Sequence, residues 1–245
     1  MSIKQKIKKT YHKLKYKGNR HKCPVCGFNA KIFMAAGLYV RRTNSKCPNC
    51  GSLERHRGLW IILDGILNEA KSKFKILHFA PERCIAMQLS KRLGIEYLTS
   101  SYGENAVSDY QYDLRNIDCQ DDVFDVVICS HVLEHVEEDG LAIAEIYRIL
   151  KSQGVALIQV PIWPSESHLT YENKLIKDPR DRIIHFGQFD HVRIYGLDVV
   201  ERLRSAGFTA NVIDLEKELK QKEIDKYALH NSTNIRELTF RCTKA

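Results

Sequence analysis

The chain has 245 residues, 44% hydrophobic and 28% charged, which suits one average α/β domain plus a small appendage. No apolar run nears the roughly 18 residues of a membrane span, and the basic opening MSIKQKIKKTYHKLKYKGNR lacks the apolar core of a secretory signal, so the expected location is cytoplasmic. Of the net charge of +8, residues 1–60 hold 15 lysines and arginines against the single acid Glu54, while the remainder holds 23 against 29 acids.

Residues 1–20 read as a basic leader. Its partner would be anionic: nucleic acid, a membrane surface touched peripherally, or a phosphorylated substrate. A solvated, flexible tail is the competing reading.

Residues 21–53 carry CPVCG and CPNCG, so Cys23 and Cys26 form one C-x2-C pair and Cys47 and Cys50 another, with 20 residues between them. Tetrahedral zinc needs four soft ligands, and two paired knuckles at this spacing supply them. Gly27 and Gly51 permit the tight turns that aim each pair of sulfurs at one point. A redox pair or a disulfide is the rival, less suited to a reducing compartment. With four cysteines the site would be closed and therefore structural. Cys84, Cys119, Cys129 and Cys242 read as buried or incidental thiols.

Residues 54–72 predict a linking helix, with Ser52 as N-cap and Leu59, Ile62, Leu63 and Ile66 on its apolar face. Arg55, His56 and Arg57 in its first turn read as a solvated face, with an anionic ligand as the alternative.

From residue 73 to 245 strand and helix signals alternate: KILHFA, a helix to Gly94, IEYLTS, a short YQYDL, FDVVICS, a helix to Gly154 with Leu141, Ile143, Ile146, Ile149 and Leu150 inward, VALIQVPI, and a helix closed by Gly207. TANVIDL and IRELTFRCTKA close the chain as a β pair. The class is α/β, a doubly wound sheet of five parallel strands finished by that pair. Ligands bind such sheets at the carboxyl ends of the strands, at the switch in strand order.

Four segments, CPNCGSLERHR, ILHFAPE, FDVVICSHVLEHVEEDGLAIAEIYRILKSQGVALIQVPI and FGQFDHVRIYGLDVVERLRSAGF, resemble class I S-adenosylmethionine-dependent methyltransferases, in particular type 11 proteins with an N-terminal zinc ribbon. The resemblance implies a Rossmann-like methyltransferase sheet, mostly parallel with an antiparallel terminal strand, and S-adenosylmethionine as cofactor beside structural zinc. In place of the family's D-x-G-x-G-x-G loop stand His78, Phe79, Ala80, Pro81 and Glu82. The resemblance assigns Glu82 to the cofactor's amino group, and Ser100 or Ser101, or else Glu104, to the ribose position where an acid is usual. It assigns Asp113 and Leu114 to the adenine, and Ser130 and His131 to the methionine end.

Methyl transfer is an in-line displacement in which the protein chiefly positions the nucleophile and excludes water. An oxygen nucleophile also needs a base of near-neutral pKa. His191, with His185 behind it and Asp190 adjoining, is the candidate base in the loop where the family builds acceptor pockets, and Arg193 is a candidate partner for an acceptor anion. Hydrogen bonds that merely steady the loop are the competing reading. His131 and His135 lack an evident third ligand, so they read as a cap on the crevice and not as a metal site.

The leading expectation is methylation of a small-molecule or glycan acceptor on oxygen or nitrogen. An RNA methyltransferase gripping substrate with the basic ribbon is the runner-up, with Phe33 and Tyr39 the nearby aromatics. A degenerate, non-catalytic binding protein is the third.

Overall fold

A computed structural model of the chain describes residues 3–37, 41–69, 73–103, 107–164, 167–230 and 236–245. In chain order the elements are α1 (Ile3–Tyr16), β1 (Lys17–Lys22), β2 (Asn29–Ala30), β3 (Met34–Ala36), β4 (Arg42–Lys46), α2 (Glu54–Glu69), β5 (Phe74–Phe79), α3 (Arg83–Leu89), β6 (Ile95–Ser100) and β7 (Phe124–Ser130). After a 3-10 turn over Leu133–His135 come α4 (Asp139–Ile149), β8 (Leu150–Ile162), β9 (Tyr171–Glu172), α5 (Pro179–Phe186), β10 (Arg193–Ile194), α6 (Val199–Ser205), β11 (Thr209–Ile213), α7 (Leu215–Glu218), α8 (Gln221–Tyr227) and β12 (Arg236–Thr243).

The chain divides into two compact units, one of Met1–Lys71, Glu82–Arg92 and Asp214–Thr233, the other of Ser72–Pro81, Leu93–Ile213 and Asn234–Ala245. In the first unit, β1 pairs with β2 and β3 with β4, both antiparallel. Its interior is organised by a charge. Arg57, 0% exposed, donates to the carbonyls of Ser45, Ser52, Tyr227 and Ala228 and lies 4.7 Å over the Phe33 ring. A guanidinium has five donors in a fixed fork, so one side chain can satisfy chain ends far apart in sequence. The solvated first turn expected for α2 is therefore corrected at Arg57 and His56, both buried. Phe33, 1% exposed, offers no stacking face, and Tyr39 lies outside the described residues.

The second unit is built on a six-stranded sheet of order β6-β5-β7-β8-β12-β11. β6, β5, β7 and β8 are mutually parallel, while β12 runs antiparallel between β8 and β11. β12 matches β8 residue for residue from Arg236↔Ile162 to Thr243↔Val155, so the expected terminal pair is present and knitted into the sheet. Four parallel strands stand side by side where five were expected. YQYDL forms only isolated bridges, Ser100↔Tyr110 and Asp113↔Asn116, because its short run of aromatics is paired on one side only.

The core of this unit joins strand residues such as Leu77, Val127 and Ile158 to Ala142, Ile143, Ile146 and Ile149 of α4. Leu141, expected inward, is 56% exposed. α4 stops at Ile149, short of Gly154, because Leu150 already pairs with Phe124 at the start of β8. α5 was not anticipated, although its caps are orthodox: the Asp178 side chain accepts from Arg180 N, Pro179 opens the helix and Gly187 closes it at φ 81°.

Truncating Arg57 takes a donor from four carbonyls, of which Ser52 O keeps its bond from Cys47 N. Arg57→Ala is expected to lower unfolding stability by about 3 kcal/mol or more, at 1–3 kcal/mol for each buried group left unpaired. Denaturant unfolding followed on the first unit's Trp60 checks this, and a loss under about 1 kcal/mol would refute the role.

Candidate functional site

In the first unit the two knuckles repeat one hydrogen-bond pattern. Gly27 N donates to Cys23 O at 2.8 Å and Cys23 N to Phe28 O at 2.9 Å; Gly51 N donates to Cys47 O and Cys47 N to Ser52 O, both at 2.9 Å. Gly27 and Gly51 sit at φ 71° and 82°, where a Cβ would be strained. The result brings Cys23, Cys26, Cys47 and Cys50 together, each offering a sulfur within 4.8 Å of the others. The Cys23–Cys50 and Cys26–Cys47 sulfur separations are both 3.7 Å, close to the about 3.8 Å edge of a tetrahedron with 2.3 Å metal–sulfur bonds. Ser52, expected as an N-cap, is turned inward with Oγ 3.2 Å from the Cys23 and Cys50 sulfurs. Burial pushes the Cys84 and Cys242 thiols up to about 12, as inert thiols require.

In the second unit the chain passes from β5 to β6 on one side and returns to β7 on the other, so the switch in strand order falls between β5 and β7. The residues that follow these strands are Ala80 and His131, at φ 46° and 54°. Left-handed backbone costs a non-glycine residue about 1–2 kcal/mol, and the two departures mark the places where the chain turns off the sheet. Ala80 N donates to Ser100 O at 2.8 Å, fixing the first loop against β6.

The predicted cofactor residues divide between backbone and side-chain candidates. His78 is 0% exposed and its Nδ1 lies 3.0 Å from Tyr97 Oη, so its ring belongs to the sheet. Phe79 is buried beside it. Ser100 Oγ accepts from Tyr112 N at 3.1 Å, and Ser130 Oγ donates to Gln159 Oε1 at 3.1 Å. Ser101 N donates to Ser108 Oγ at 3.1 Å. Glu82 falls in the first unit, where its carboxylate is 4.0 Å from His56 Nε2. Glu104 lies outside the described residues. A carboxylate that sequence reasoning passed over, Asp109, is held at the end of β6 by hydrogen bonds to Oδ2 from Thr99 N at 2.8 Å and Thr99 Oγ1 at 2.7 Å.

Asp113 is held below the usual carboxylate range by hydrogen bonds from Arg115, and Leu114 beside it is buried. Their loop is anchored from α4: Glu145 Oε2 accepts from Ile117 N at 2.7 Å, and Arg148 donates to Ile117 O at 2.8 Å and to Cys119 O at 2.7 Å.

The three predicted catalytic residues do not form one triad. His185 is exposed, with Nδ1 3.0 Å from Tyr171 Oη. Asp190 reaches not His191 but His135, 3.2 Å from its Nδ1. His191 is half-buried, its Nδ1 3.1 Å from Phe186 O and its ring edge-on to His135 at 4.7 Å. Burial lowers the His191 pKa, opposed by the Glu134 carboxylate and reinforced by His135. Glu134, which the sequence did not single out, is 1% exposed with neither oxygen in a hydrogen bond; His131 Nδ1 is its 3.3 Å ion-pair neighbour, and that ring's Nε2 is 3.1 Å from Glu237. Burial works to raise the Glu134 carboxyl, but His131 outweighs it and the net shift is downward.

Arg193, a candidate anion partner in sequence, is buried instead. It donates to the carbonyls of Leu133, Val136 and Glu137 and to Glu172 at 2.9 Å. Val192 N adds a bond to Glu134 O at 2.9 Å. The turn after β7 and the segment before β10 are thereby fastened together.

Residues 73–158 match the family model described as a methyltransferase domain. The fold is that of a methyltransferase domain. An S-adenosylmethionine-dependent methyltransferase from Mesorhizobium loti matches over 76% of this chain and 97% of its own, at TM-score 0.54 and 14% identity. A phosphoethanolamine N-methyltransferase from Haemonchus contortus, in complex with S-adenosyl-L-methionine, matches over 76% of this chain and 52% of its own, at TM-score 0.51 and 14% identity. The [4+2]-cyclase SpnF matches over 75% and 80% at TM-score 0.51 and 14% identity. Comparison with curated proteins gives no match.

Within the second unit the anchored Asp113 loop has a pH signature. Hydrogen bonds from Arg148 hold the Glu145 carboxyl below its ordinary value, so its contribution is complete above the unfolded pKa of about 4.3 and disappears as pH falls through the folded one. Melting temperature against pH is expected to drop less steeply below about pH 5 in Glu145→Gln than in the wild type; an identical acid limb would count against the anchor.

Proposed function

We propose that the chain is an S-adenosylmethionine-dependent methyltransferase that acts on a small-molecule or glycan acceptor, with a structural zinc in its first unit. The observation that carries the reading is the switch point between β5 and β7, flanked by the left-handed Ala80 and His131. A methyl side chain at position 80 leaves the backbone approachable, the role glycine has in richer loops. The cofactor contains no phosphate, so a dense nest of N–H donors is not required. Asp113, an ionised carboxylate beside the apolar Leu114, suits an adenine amino group and ring face. Asp109 is the described carboxylate best placed to take the ribose role, since Ser100 is committed to Tyr112. Phe79, Ser101 and His131 complete the proposed set, whereas Glu82 is engaged with His56.

The cofactor when bound supplies an activated methyl group on sulfur. The chain's own work is then to hold the acceptor in line, keep water out and take its proton. His191 suits proton removal, because Phe186 O fixes its Nδ1 as the protonated nitrogen and leaves a lone pair on Nε2. His185 and Asp190 would support the same loop from opposite sides. Calorimetry with S-adenosylhomocysteine is expected to show binding that His191→Ala retains, while labelled methyl transfer falls at least about 100-fold. An absence of binding in the wild type would overturn the cofactor reading.

The four sulfurs fit zinc by donor type and spacing. One zinc per chain is expected by metal analysis. Cys47→Ser is expected to release it and unfold the first unit, visible as a lost thermal transition, because binding energy in such modules is folding energy.

A second reading, RNA as substrate, is favoured by a groove of about 580 Å³ in the first unit, lined in part by Arg20, Lys22, Lys222 and Lys226. It requires RNA affinity that falls steeply with salt.

A further inference from the structure

We propose that Glu134, His135 and His191 form a centre for one divalent first-row transition cation. One ligand atom from each lies within 4.8 Å of the others, and the three come from two segments that Arg193 and the Val192–Glu134 hydrogen bond hold together.

The first argument is electrostatic. Glu134 is 1% exposed, and neither carboxylate oxygen has a hydrogen-bond partner. Burying a carboxylate without donors is costly, and nearby positive charge is the remedy. His131 supplies contact to Oε1 at 3.3 Å and leaves the second oxygen for another cation.

The second argument comes from the groups behind the ligands. A histidine that binds metal through one nitrogen commonly donates its other N–H to a carboxylate or a backbone carbonyl, which fixes the tautomer and the ring plane. Both arrangements are present: His135 Nδ1 lies 3.2 Å from Asp190 Oδ2, and His191 Nδ1 lies 3.1 Å from Phe186 O. Each ring therefore carries its lone pair on Nε2. The two rings meet edge-on at 4.7 Å between centroids.

The donor set names the cation class. Two imidazoles and one carboxylate suit manganese, iron, cobalt or zinc as divalent ions, and three protein ligands leave positions open for water or for an oxygen of a second ligand. The cysteine cluster, with four thiolates, is closed by contrast. Cation binding here does not depend on methyl transfer. It does exclude the base role for His191 in the loaded protein, since one lone pair cannot hold both a metal and a proton.

The test uses the full chain, its resident metal content measured first, dialysed separately against Mn²⁺, Co²⁺ and Zn²⁺. At least one ion is expected to bind at one equivalent beyond that held by the cysteines and to raise the melting temperature. Glu134→Gln and His191→Ala are each expected to weaken it about 100-fold or more, and Asp190→Asn about 10-fold. Should Glu134→Gln misfold on losing its ion pair with His131, His135→Ala and Asp190→Asn carry the comparison. No extra equivalent with any of the three ions overturns the proposal, as does binding that all these variants leave unchanged. S-adenosylhomocysteine calorimetry on the same samples reports the cofactor reading separately.

Discussion

A buried guanidinium holds the turn after β7 of the second unit in shape. In the turn after β7 Arg193 donates to the carbonyls of Val136 and Glu137 and to Leu133 O, which also accepts from Val136 N, while pairing with Glu172. Arg202 and Tyr195 close the network on Asp139, and Arg202 also meets Glu172. Two cations thus face two carboxylates, so the network is internally neutral, which makes its burial tolerable. Everything proposed for Glu134, His135 and His191 depends on this fastening, because it brings residues more than fifty positions apart to one point and keeps them there.

The strand ends at the switch point are shaped by backbone conformation more than by free polar side chains. His78, Ser100 and Ser130 sit where the family's contacts would be sought, yet each is tied into the sheet or its neighbours. What remains accessible to a ligand is the turn at Ala80 and the ionised Asp113. The fold alone does not fix the reaction, as the likeness to a [4+2]-cyclase makes plain. The site chemistry has to carry that part, and here it rests on carboxylates and imidazoles at the strand ends.

Local patterns were legible. The two C-x2-C knuckles, the alternation of strands and helices and the terminal β pair could all be read, because each follows from spacing or periodicity over a few residues. Partnerships across the sheet were not. Arg57 and Arg193 look like surface charges in sequence, and only the topology shows that each is buried among backbone carbonyls. Glu134 sat unnoticed between two histidines, since nothing local says that a carboxylate in L-E-H will lose all solvent. α5 was the avoidable omission: Asp178-Pro179 at one end and Gly187 at the other are cap signals, overlooked because the residues between are highly charged.

The enclosed Glu134 also constrains the chemistry of the site. A carboxylate so enclosed needs positive charge close by, and among the described residues the nearest source is the His131 ring, itself shared with Glu237. A divalent cation shared with His135 and His191 would engage the carboxylate directly and gives a reason for two imidazoles, each backed by its own acceptor, to converge on it.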